Sequence, residues 1–309
     1  MKKRIMVFGS FVVDLMGRGP HLPVPGETVK GTFFKMGPGG KGFNQGVAAH
    51  KAGGDVTMIT KLGKDTFANI AVDAMKELNM DTSHLLWSEE HGTGVALIEV
   101  DDTTGQNAIM VIPSACNDIF DEEVDNLEGI LDDSDYLLTQ LETNMSSIEK
   151  IVDMAYRKNK IIIMNTAPFQ PVEDELLRKI NIVTPNEVEA ELLTGVKVVD
   201  QTSASEAADH FFQKGVKSVV ITMGGKGAFV SDGNKEMIIP PFKVEVLDTT
   251  GAGDAFNGGF VAALAEGKDI FEASIFASAV AALSVQKMGT TPSMPTREEV
   301  DAFLEQQNK

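Results

Sequence analysis

The chain has 309 residues, 43% of them hydrophobic, and its 45 acidic and 27 basic side chains give a formal net charge of -18. This length and apolar content fit one large domain with a sizeable core better than an assembly of small modules. So negative a surface would repel a nucleic-acid backbone or an anionic membrane, and we expect neither as a partner.

The single cysteine, Cys116, excludes a disulfide framework and any metal site built from several cysteines, which indicates a reducing compartment. The sequence contains no apolar run long enough to span a bilayer. Its first residues lead from basic side chains into a short strand-like run rather than a secretory signal. We therefore expect a cytoplasmic protein.

Short β-branched runs alternate with helix-length amphipathic segments, in the pattern of strand-helix-strand units. The predicted strands are 5–9, 56–60, 136–139, 161–165, 180–184 and 219–222. The predicted helices are 43–51, 67–78, 147–156, 185–193, 205–213, 252–265 and 270–285. This order predicts a doubly wound α/β fold, with a mostly parallel sheet and helices on both faces.

Two stretches, about 15–36 and 94–112, break this alternation. The first holds several Gly and Pro residues between short extended pieces, and the second contains two alternating strands around a Gly-containing turn. No flexible linker or tandem repeat separates them from the rest. We therefore predict a single domain over 1–309 in which these two stretches form a small separate sheet.

A glycine-rich run precedes the first long helix, and Gly37, Gly39 and Gly42 formally match a dinucleotide-binding fingerprint. A Rossmann fold would place this run directly after the first core strand, whereas here about 30 residues intervene. The residue after Lys41 is not the Ser or Thr of a Walker loop. An open loop carrying Lys41 and Asn44 suits close approach to a polyhydroxy ligand, although a plain connection into a helix remains an alternative.

Two shorter signals lie at predicted strand ends. Asp14 follows the first strand amid apolar residues, where doubly wound folds bind ligands, although a turn role stays open. Thr222 begins a glycine turn that suits a backbone surface packed against a nucleotide, as many ordinary β-turns also would.

Thr184, Pro185 and Glu187 have the order of N-cap, N1 and N3 in a capping box, which predicts a helix start. That cap does not account for Asn186 and Glu189. They are three apart on one helical face, and could hold a hydrated magnesium ion near nucleotide phosphates. Simple solvated polar residues are the alternative.

The segment from Asp248 to Gly259 is the most informative, because a turn of small residues opens an apolar helix. We expect the amides of Gly251, Ala252 and Gly253 to face solvent at the positive end of that helix, where they would favour an anion. Asp254 lies just inside the turn and could accept the proton of a hydroxyl that attacks a bound phosphate. Alternatively, Asp254 only complements the helix dipole.

These motifs, in this order, resemble the ribokinase-like, or pfkB-type, carbohydrate kinase family. The two diagnostic patterns of that family match 39–45 and 248–254, and weaker matches at 9–10, 14 and 25–28 extend the resemblance over the chain. The resemblance implies a doubly wound domain whose small sheet is a lid. It also implies an ATP-dependent sugar kinase, with D-ribose as the expected acceptor and ribose 5-phosphate as the product.

The resemblance implies a role for each matching position. Sugar contacts are implied for Asp14, Gly40, Lys41, Asn44, Glu142 and Asp254. Asp254 is implied as the catalytic base, with an anion hole formed by Gly251, Ala252 and Gly253. Nucleotide contacts are implied for Asn186, Thr222, Gly224, Gly227, Gly253 and Ser278. Magnesium, held through water, is implied near Asn186 and Glu189. A potassium ion bound largely by backbone carbonyls is implied at Asp248, Thr250, Ser284, Lys287, Gly289 and Ser293.

One position departs from the family pattern, because Val12 stands where a polar residue often faces the sugar. A missing hydrogen bond can change selectivity strongly, so fructose or deoxyribose stays open as the acceptor. The resemblance also implies a homodimer joined through the lids. Two interpretations from other classes remain: an NAD-dependent oxidoreductase, based on the glycine fingerprint alone, and a non-catalytic sugar-binding protein.

Overall fold

A computed structural model describes residues 3–307 of the chain. Its strands are β1 Arg4–Phe8, β2 Val12–Gly19, β3 Phe33–Gly39, β4 Asp55–Ile59, β5 Lys61–Gly63, β6 Leu86–Ser88, β7 Gly94–Asp101, β8 Asn107–Ile112, β9 Tyr136–Thr139, β10 Ile161–Met164, β11 Ile182–Val183, β12 Ser218–Thr222, β13 Ala228–Ser231 and β14 Glu236–Ile239. Its helices are α1 Lys41–Lys51, α2 Ala68–Glu77, α3 Asp121–Asp125, α4 Glu128–Asp132, α5 Met145–Arg157, α6 Asp174–Leu177, α7 Glu187–Thr194, α8 Gln201–Gln213, α9 Ala252–Ala265, α10 Ile270–Ser284 and α11 Arg297–Gln307. Short 3₁₀ turns cover Ser114–Asn117, Gly224–Lys226 and Thr291–Ser293.

The central sheet has eight strands in the order β14-β13-β12-β11-β10-β9-β1-β4. The six strands from β12 to β4 pair in parallel, and β13 and β14 extend one edge in antiparallel fashion. Strands covered on both faces contain continuous apolar runs, as the buried β9 does. One apolar core lies on each face, around Phe43 and Phe260 on one side and around Leu137 and Phe211 on the other. The predicted doubly wound α/β fold is confirmed.

A second sheet has four strands in the order β3-β2-β7-β8 and contains the predicted hairpin of β7 and β8. β2 begins at Val12, so only three residues separate the central sheet from the small one. Asp14 therefore lies inside a strand of the small sheet, and the alternative that it is a turn residue was wrong. The pleat of β2 points Asp14 to the same side as Met16 and Arg18.

Several elements were missed or misplaced in the sequence analysis. The predicted strand 180–184 is reduced to β11, because the residues after it are needed for a helix cap. The hairpin of β13 and β14 and the helix α11 were not predicted, since their short or mainly polar segments give a weak periodic signal. Within the described residues, no helix is both long and apolar enough to cross a membrane.

Candidate active site

The parallel strands of the central sheet end at one edge, and polar residues of the candidate site follow them directly. Ser10 follows β1, Glu142 follows β9, Asn186 follows β11, and Thr222 closes β12. Asn186 and Thr222 also form an isolated parallel bridge, so the two predicted nucleotide segments are adjacent. The topology thus brings together residues that are far apart in sequence.

The glycine-rich loop before α1 packs against the connection between β1 and β2. A Cβ atom on Gly39 would lie 2.3 Å from Asp14 Oδ1, and one on Gly42 would lie 2.5 Å from the carbonyl carbon of Gly9. Gly40 has a φ of 90°, and a Cβ atom there would lie 2.8 Å from Phe11 Cα. Side chains at these positions would push the start of α1 away from the small sheet. Close packing therefore explains why these residues are glycines, and dinucleotide binding is not needed to explain them.

Glu142 holds this loop by its carboxylate. Its Oε2 accepts a hydrogen bond from Lys41 N at 2.8 Å and another from Ser10 Oγ. Its Oε1 accepts none from residues 3–307. One oxygen of Glu142 is therefore occupied by the loop, and the other is available to a ligand hydroxyl.

Helix α9 begins at Ala252, as predicted, and its N-cap Gly251 has the left-handed φ of 76° that favours glycine. The amide of Ala252 already donates to Thr249 O at 3.2 Å, so the expectation of three free amides was wrong. Gly253 N donates to no acceptor within the described chain, and a Cβ atom on Gly253 would meet open space. An anion could approach the backbone at Gly253.

Asp254 is only 7% exposed and is fixed by the two residues that end the glycine-rich motif. Asn44 Nδ2 donates to its Oδ2 at 3.0 Å, and Gln45 Nε2 donates to its Oδ1 at 3.0 Å. Asn44 Oδ1 in turn accepts from Thr291 Oγ1 at 3.1 Å. Each carboxylate oxygen of Asp254 thus has one protein donor and can still accept from a ligand.

Three carboxylates and one ammonium group lie close enough to influence one another. Burial, together with the charges of Glu142 and Asp254, raises the pKa of Asp14 to about 6. Burial lowers the pKa of Lys41, but the charges of Asp254, Glu142 and Glu189 outweigh it, so that pKa lies above its ordinary value. Lys41 therefore remains a cation among these acids.

The helix cap at the nucleotide side differs from the predicted one. Asn186, not Thr184, is the N-cap of α7, and its Oδ1 accepts from Glu189 N at 2.9 Å. Glu189 completes the capping box, because its Oε2 accepts from Asn186 N at 3.0 Å and its Oε1 from Asn186 Nδ2 at 2.8 Å. Pro185 cannot continue a strand ladder and precedes the cap, which moves the helix start two residues along the chain. Asn186 and Glu189 thus have a structural role that the sequence analysis did not give them.

The other predicted nucleotide residues lie in the turn after β12 and on α10. Gly224 and Gly227 have φ values of 52° and 96°, and a Cβ atom on Gly227 would lie 2.0 Å from Ile239 O. This close contact fixes the turn against β14. Ser278 is half-buried on α10, where its Oγ donates to Ser274 O at 2.8 Å.

Two loops meet at Asp248, in front of α9. Asp248 Oδ1 accepts from Thr250 N at 2.9 Å and Thr250 Oγ1 at 2.7 Å, and its Oδ2 accepts from Gly289 N at 2.9 Å. Burial alone would raise the pKa of Asp248, but these hydrogen bonds outweigh it and hold the pKa below its ordinary value. Asp248 therefore stays ionised and joins the turn before α9 to the loop after α10.

The remaining residues of the predicted potassium site have side chains that are engaged elsewhere. Ser284 Oγ donates to Ala281 O at 2.8 Å, Lys287 Nζ pairs with Glu299 at 2.9 Å, and Ser293 Oγ donates to Thr290 O at 2.7 Å. The Lys287 side chain cannot bind a cation, and the oxygens that remain as possible ligands are the backbone carbonyls and the two serine hydroxyls. In the part of the chain that is described, no three His, Cys, Asp or Glu residues are grouped as metal ligands.

A cavity of about 400 Å³ lies between the small sheet and these two loops. Of the predicted sugar contacts only Asp14 lines it, beside Asp248, Thr250 and Gly289 of the predicted potassium site. Two cationic side chains in the cavity wall, Arg18 and Lys35, were not predicted from the sequence. Arg18 is paired with Asp102 at 2.6 Å, whereas Lys35 Nζ would lie 3.2 Å from a Cβ atom on Gly289.

The sequence analysis also missed the polar residues behind Asp254, namely Gln45, Asn165 and Asn257, which are all buried. Two signals could have indicated them. Gln45 and Asn257 are polar residues at helix positions where the surrounding sequence is apolar or small, and Asn165 directly follows a buried strand. Buried amides need partners, so such positions indicate a hydrogen-bond network.

This arrangement belongs to a known protein family. Residues 2–297 match the pfkB family of carbohydrate kinases. The chain belongs to the pfkB carbohydrate kinase family. For a pfkB-family chain, the NAD-dependent interpretation of Gly37, Gly39 and Gly42 is wrong, and two of these glycines instead serve the close packing described above.

Relatives of this pfkB-family chain cover its full length. The ribokinase of Haemophilus influenzae is 42% identical over 305 residues, which are 99% of this chain and 99% of that protein. The deoxyribokinase of Salmonella typhi is 33% identical over 97% of this chain and 98% of that protein. The structure of Arabidopsis thaliana ribokinase complexed with ribose and ATP is 29% identical, covers 99% of both chains and has a TM-score of 0.90. The structural match therefore covers the small sheet as well as the doubly wound domain.

Proposed function

We propose that this pfkB-family chain is an ATP-dependent kinase that phosphorylates the 5-hydroxyl of D-ribose. The observation that carries the proposal is the position of Asp254, which is held by Asn44 and Gln45 at the first turn of α9 beside the free amide of Gly253. The relatives named ribokinase support the choice of sugar.

In the proposed reaction, Asp14, Glu142 Oε1, Asn44 and the backbone at Gly40 hold the ribose hydroxyls. Carboxylates accept hydrogen bonds from hydroxyl groups, so Asp14 and Glu142 suit a neutral polyol. Asp254 accepts the proton of the 5-hydroxyl as that oxygen forms a bond to the γ-phosphorus of ATP. The bond from that phosphorus to the β-γ bridging oxygen breaks, and ADP leaves with its electron pair.

The first turn of α9 would stabilise the charge that develops on the transferred phosphoryl group. The amide of Gly253 and the positive end of a 14-residue helix act without reorganisation at the moment of reaction. Gly251 and Ala252 shape the turn, although Ala252 N is partly satisfied by Thr249. Lys41, a cation among Asp254, Glu142 and Glu189, would offset the negative charge of the phosphates.

We place ATP along Asn186, Thr222, Gly224 and Gly227, with Ser278 at the adenine side. The bridge between Asn186 and Thr222 supports this placement, because it sets the two segments side by side, and the contact of Gly227 with Ile239 fixes the turn after β12 against β14. The family resemblance supports the role of Ser278.

The residues present fit magnesium only through water. Asn186 and Glu189 already bond to each other, and Thr166 Oγ1 also donates to Glu189 Oε2 at 3.2 Å. Glu189 would therefore orient waters of an ion held mainly by nucleotide oxygens, as magnesium favours. Bound there, the ion would neutralise charge on the transferred phosphoryl group.

The two loops joined by Asp248 fit potassium better than a small divalent ion. Ser284, Lys287, Gly289 and Ser293 can offer backbone carbonyls beside Asp248 and Thr250, and Asp248 stays ionised. A cation there would order the turn that carries Gly253. In this site the backbone would supply the carbonyl ligands, and the carboxylate of Asp248 would supply the negative charge.

We further propose that residues 1–309 act as one unit, that the small sheet closes over the sugar, and that two chains pair through this sheet. Its β8 is exposed along its whole length, and Phe34 and Met110 are 66% and 62% exposed. An exposed apolar sheet with free edges favours pairing with a second copy. We place the enzyme in the cytoplasm, where ATP is available.

A second acceptor is favoured by Val12, which is 2% exposed on the same face of β2 as Asp14. An apolar residue at the base of this face offers no hydrogen bond, which suits 2-deoxyribose or a ketose such as fructose. If Val12 determines the preference, Val12→Asn should shift the ratio of kcat/KM values toward ribose. An unchanged ratio would show that Val12 does not contact the sugar.

The deciding experiment is a sugar screen with ATP and magnesium, in which ADP release is measured for D-ribose, 2-deoxy-D-ribose, D-fructose and sugar phosphates. We expect the highest kcat/KM for ribose and a product phosphorylated at carbon 5. A tenfold preference for another sugar would refute the ribose assignment and keep the kinase. ADP release with none of the sugars would favour a non-catalytic sugar-binding protein.

A further inference from the structure

A closed ring of hydrogen bonds, made by buried side chains, runs from Asp254 back to the residue before it. Its links are Gln45 Nε2 to Asp254 Oδ1 at 3.0 Å, Gln45 Nε2 to Asn165 Oδ1 at 3.0 Å, Asn165 Nδ2 to Thr184 O at 2.7 Å, Thr184 Oγ1 to Asn257 Oδ1 at 2.5 Å, and Asn257 Nδ2 to Gly253 O at 2.9 Å. The peptide bond between Gly253 and Asp254 closes the ring. It joins α1, the ends of β10 and β11, and the first turn of α9.

For Gln45, the orientation of the side-chain amide is fully determined by its partners. Its Oε1 accepts from Gln140 Nε2 at 2.8 Å, so its Nε2 must point toward Asp254 and Asn165. The reverse orientation would place an oxygen against the carboxylate of Asp254, which can only accept. Gln45 is 0% exposed, and all of its hydrogen bonds are made to protein groups.

The other members are equally enclosed, with exposed fractions of 6% for Asn165, 1% for Thr184 and 2% for Asn257. Burying four polar side chains costs free energy unless each is hydrogen-bonded. Each of these four side chains is hydrogen-bonded in the ring, which restricts its orientation, and residues that act through one network are not additive. The ring therefore fixes the carboxylate of Asp254 and the carbonyl of Gly253 relative to each other.

We propose that Gln45 is a positioning residue for Asp254, and that the ring holds the base and the turn of Gly253 as one rigid unit. Asn44 differs, because it lies on the ligand side and is itself a proposed sugar contact. Gln45 is fully buried and can act only through the groups that it hydrogen-bonds, which are Asp254 and Asn165 in the ring and Gln140 beside it. This inference rests on the proposed function for its kinetic part, but not for its structural part.

The kinetic test uses Gln45→Met, which keeps the length of the side chain and removes its hydrogen bonds. We expect kcat to fall roughly 10- to 100-fold, part of the contribution of a general base, while KM for ribose and for ATP changes less than about threefold. Such a split is expected for a group that contacts neither substrate. An unchanged kcat, or a loss confined to KM, would overturn the proposal.

A remote member of the ring gives a second test if Gln45→Met folds poorly. Thr184→Val keeps the shape of the side chain and removes only the bond to Asn257. We expect kcat to fall several-fold, whereas Thr60→Val, a buried threonine whose hydroxyl contacts Cys116 Sγ at 3.5 Å, should leave kcat unchanged. Equal effects of the two substitutions would overturn the proposal.

The double variant tests whether the residues act as a ring. Because Gln45→Met and Thr184→Val break the same ring, their combined loss of kcat should be smaller than the product of the single losses. Gln45→Met combined with Thr60→Val should give the simple product. Multiplicative losses in both pairs would refute the coupling.

Hydrogen exchange separates a failure of this inference from a failure of the proposed function. In Gln45→Met we expect faster amide exchange over 253–256 than in the wild type, with α8 unchanged, whichever sugar is phosphorylated. Faster exchange without sugar kinase activity in the wild type would refute the function and keep the ring. Unchanged exchange with unchanged kcat would refute the ring alone.

Discussion

Asn44 Nδ2 donates a hydrogen bond to Asp254 Oδ2 at 3.0 Å, across 210 positions of the sequence. This contact joins the two glycine-containing motifs, and it depends on how closely α1 packs against α9. Gly258 permits the approach, because a Cβ atom there would lie 2.5 Å from Ala48 Cβ and 2.5 Å from Gln45 O. The geometry of Asp254 is thus set partly by a glycine one turn away from it.

Gly258→Ala should therefore separate α1 from α9 and affect both stability and activity. We expect a loss of about 1–3 kcal/mol in the free energy of unfolding, from overpacking against backbone atoms, and a lower kcat. The matched control is Gly129→Ala in α4, where the new methyl group would meet open space and should slightly stabilise the helix. Denaturant unfolding of both variants gives the comparison, and equal stability would contradict it.

Asp254→Asn should lower kcat by at least about 10²-fold, the usual scale for a lost general base, with little change in KM. The variant keeps the shape of the side chain, so ATP should still protect it against thermal unfolding. Asp73→Asn, on the exposed face of α2, serves as the control and should behave like the wild type. Near-wild-type turnover of Asp254→Asn would remove this residue from the mechanism.

Asp14 should make the fold less stable at higher pH. Its pKa is about 6 when folded and 3.8 when unfolded, so between these values the folded chain binds more protons and stability falls as pH rises. Above about pH 6 the penalty is complete. Asp14→Asn removes it, and we expect this variant to be more stable than the wild type by about 1–2 kcal/mol at pH 8 but not at pH 4.

Urea unfolding at both pH values measures this difference, with Asp209→Asn on the exposed side of α8 as the control. The same titration predicts that KM for the sugar rises below pH 6, because a protonated carboxyl is a poorer acceptor. A stability gain of Asp14→Asn that is independent of pH would contradict the assignment of this pKa.

Potassium should raise kcat well above the rate in sodium or in a bulky organic cation at equal ionic strength. Gly289 N donates a hydrogen bond to Asp248 Oδ2, which connects the two loops. A cation bound there would strengthen this connection and so order the turn at Gly253. Asp248→Asn should abolish most of the difference between the salts. Equal wild-type rates in all three salts would rule out the cation site.

Light scattering at micromolar concentration should give the mass of a dimer. Phe34→Glu, a charge placed on the exposed lid face, should produce monomers, since a buried unpaired charge is costly at an interface. Leu192→Glu on α7, also an exposed apolar position, should leave the dimer intact. A monomeric wild type, or dissociation by both substitutions, would contradict pairing through the lid.

The sequence by itself determined the elements whose signal is local. The buried strand runs predicted the parallel strands, and the small-residue turn at Gly251 placed the start of α9 at the correct residue, because an amide-exposing turn needs glycine. The motif at 39–45 was predicted to be a ligand loop, although its glycines also fit a dinucleotide fingerprint. Family membership followed from the order of the motifs.

The tertiary structure alone decided how these motifs meet. Asn186 became a cap and Asp14 a strand residue because neighbouring strands fixed where each chain segment turns. The ring through Gln45, Asn165, Thr184 and Asn257 has two members on helices and two just after strands, and sequence spacing holds no information about such contacts. Hydrogen bonds depend on distances of about 3 Å and on direction, which only the packing of helices against the sheet supplies.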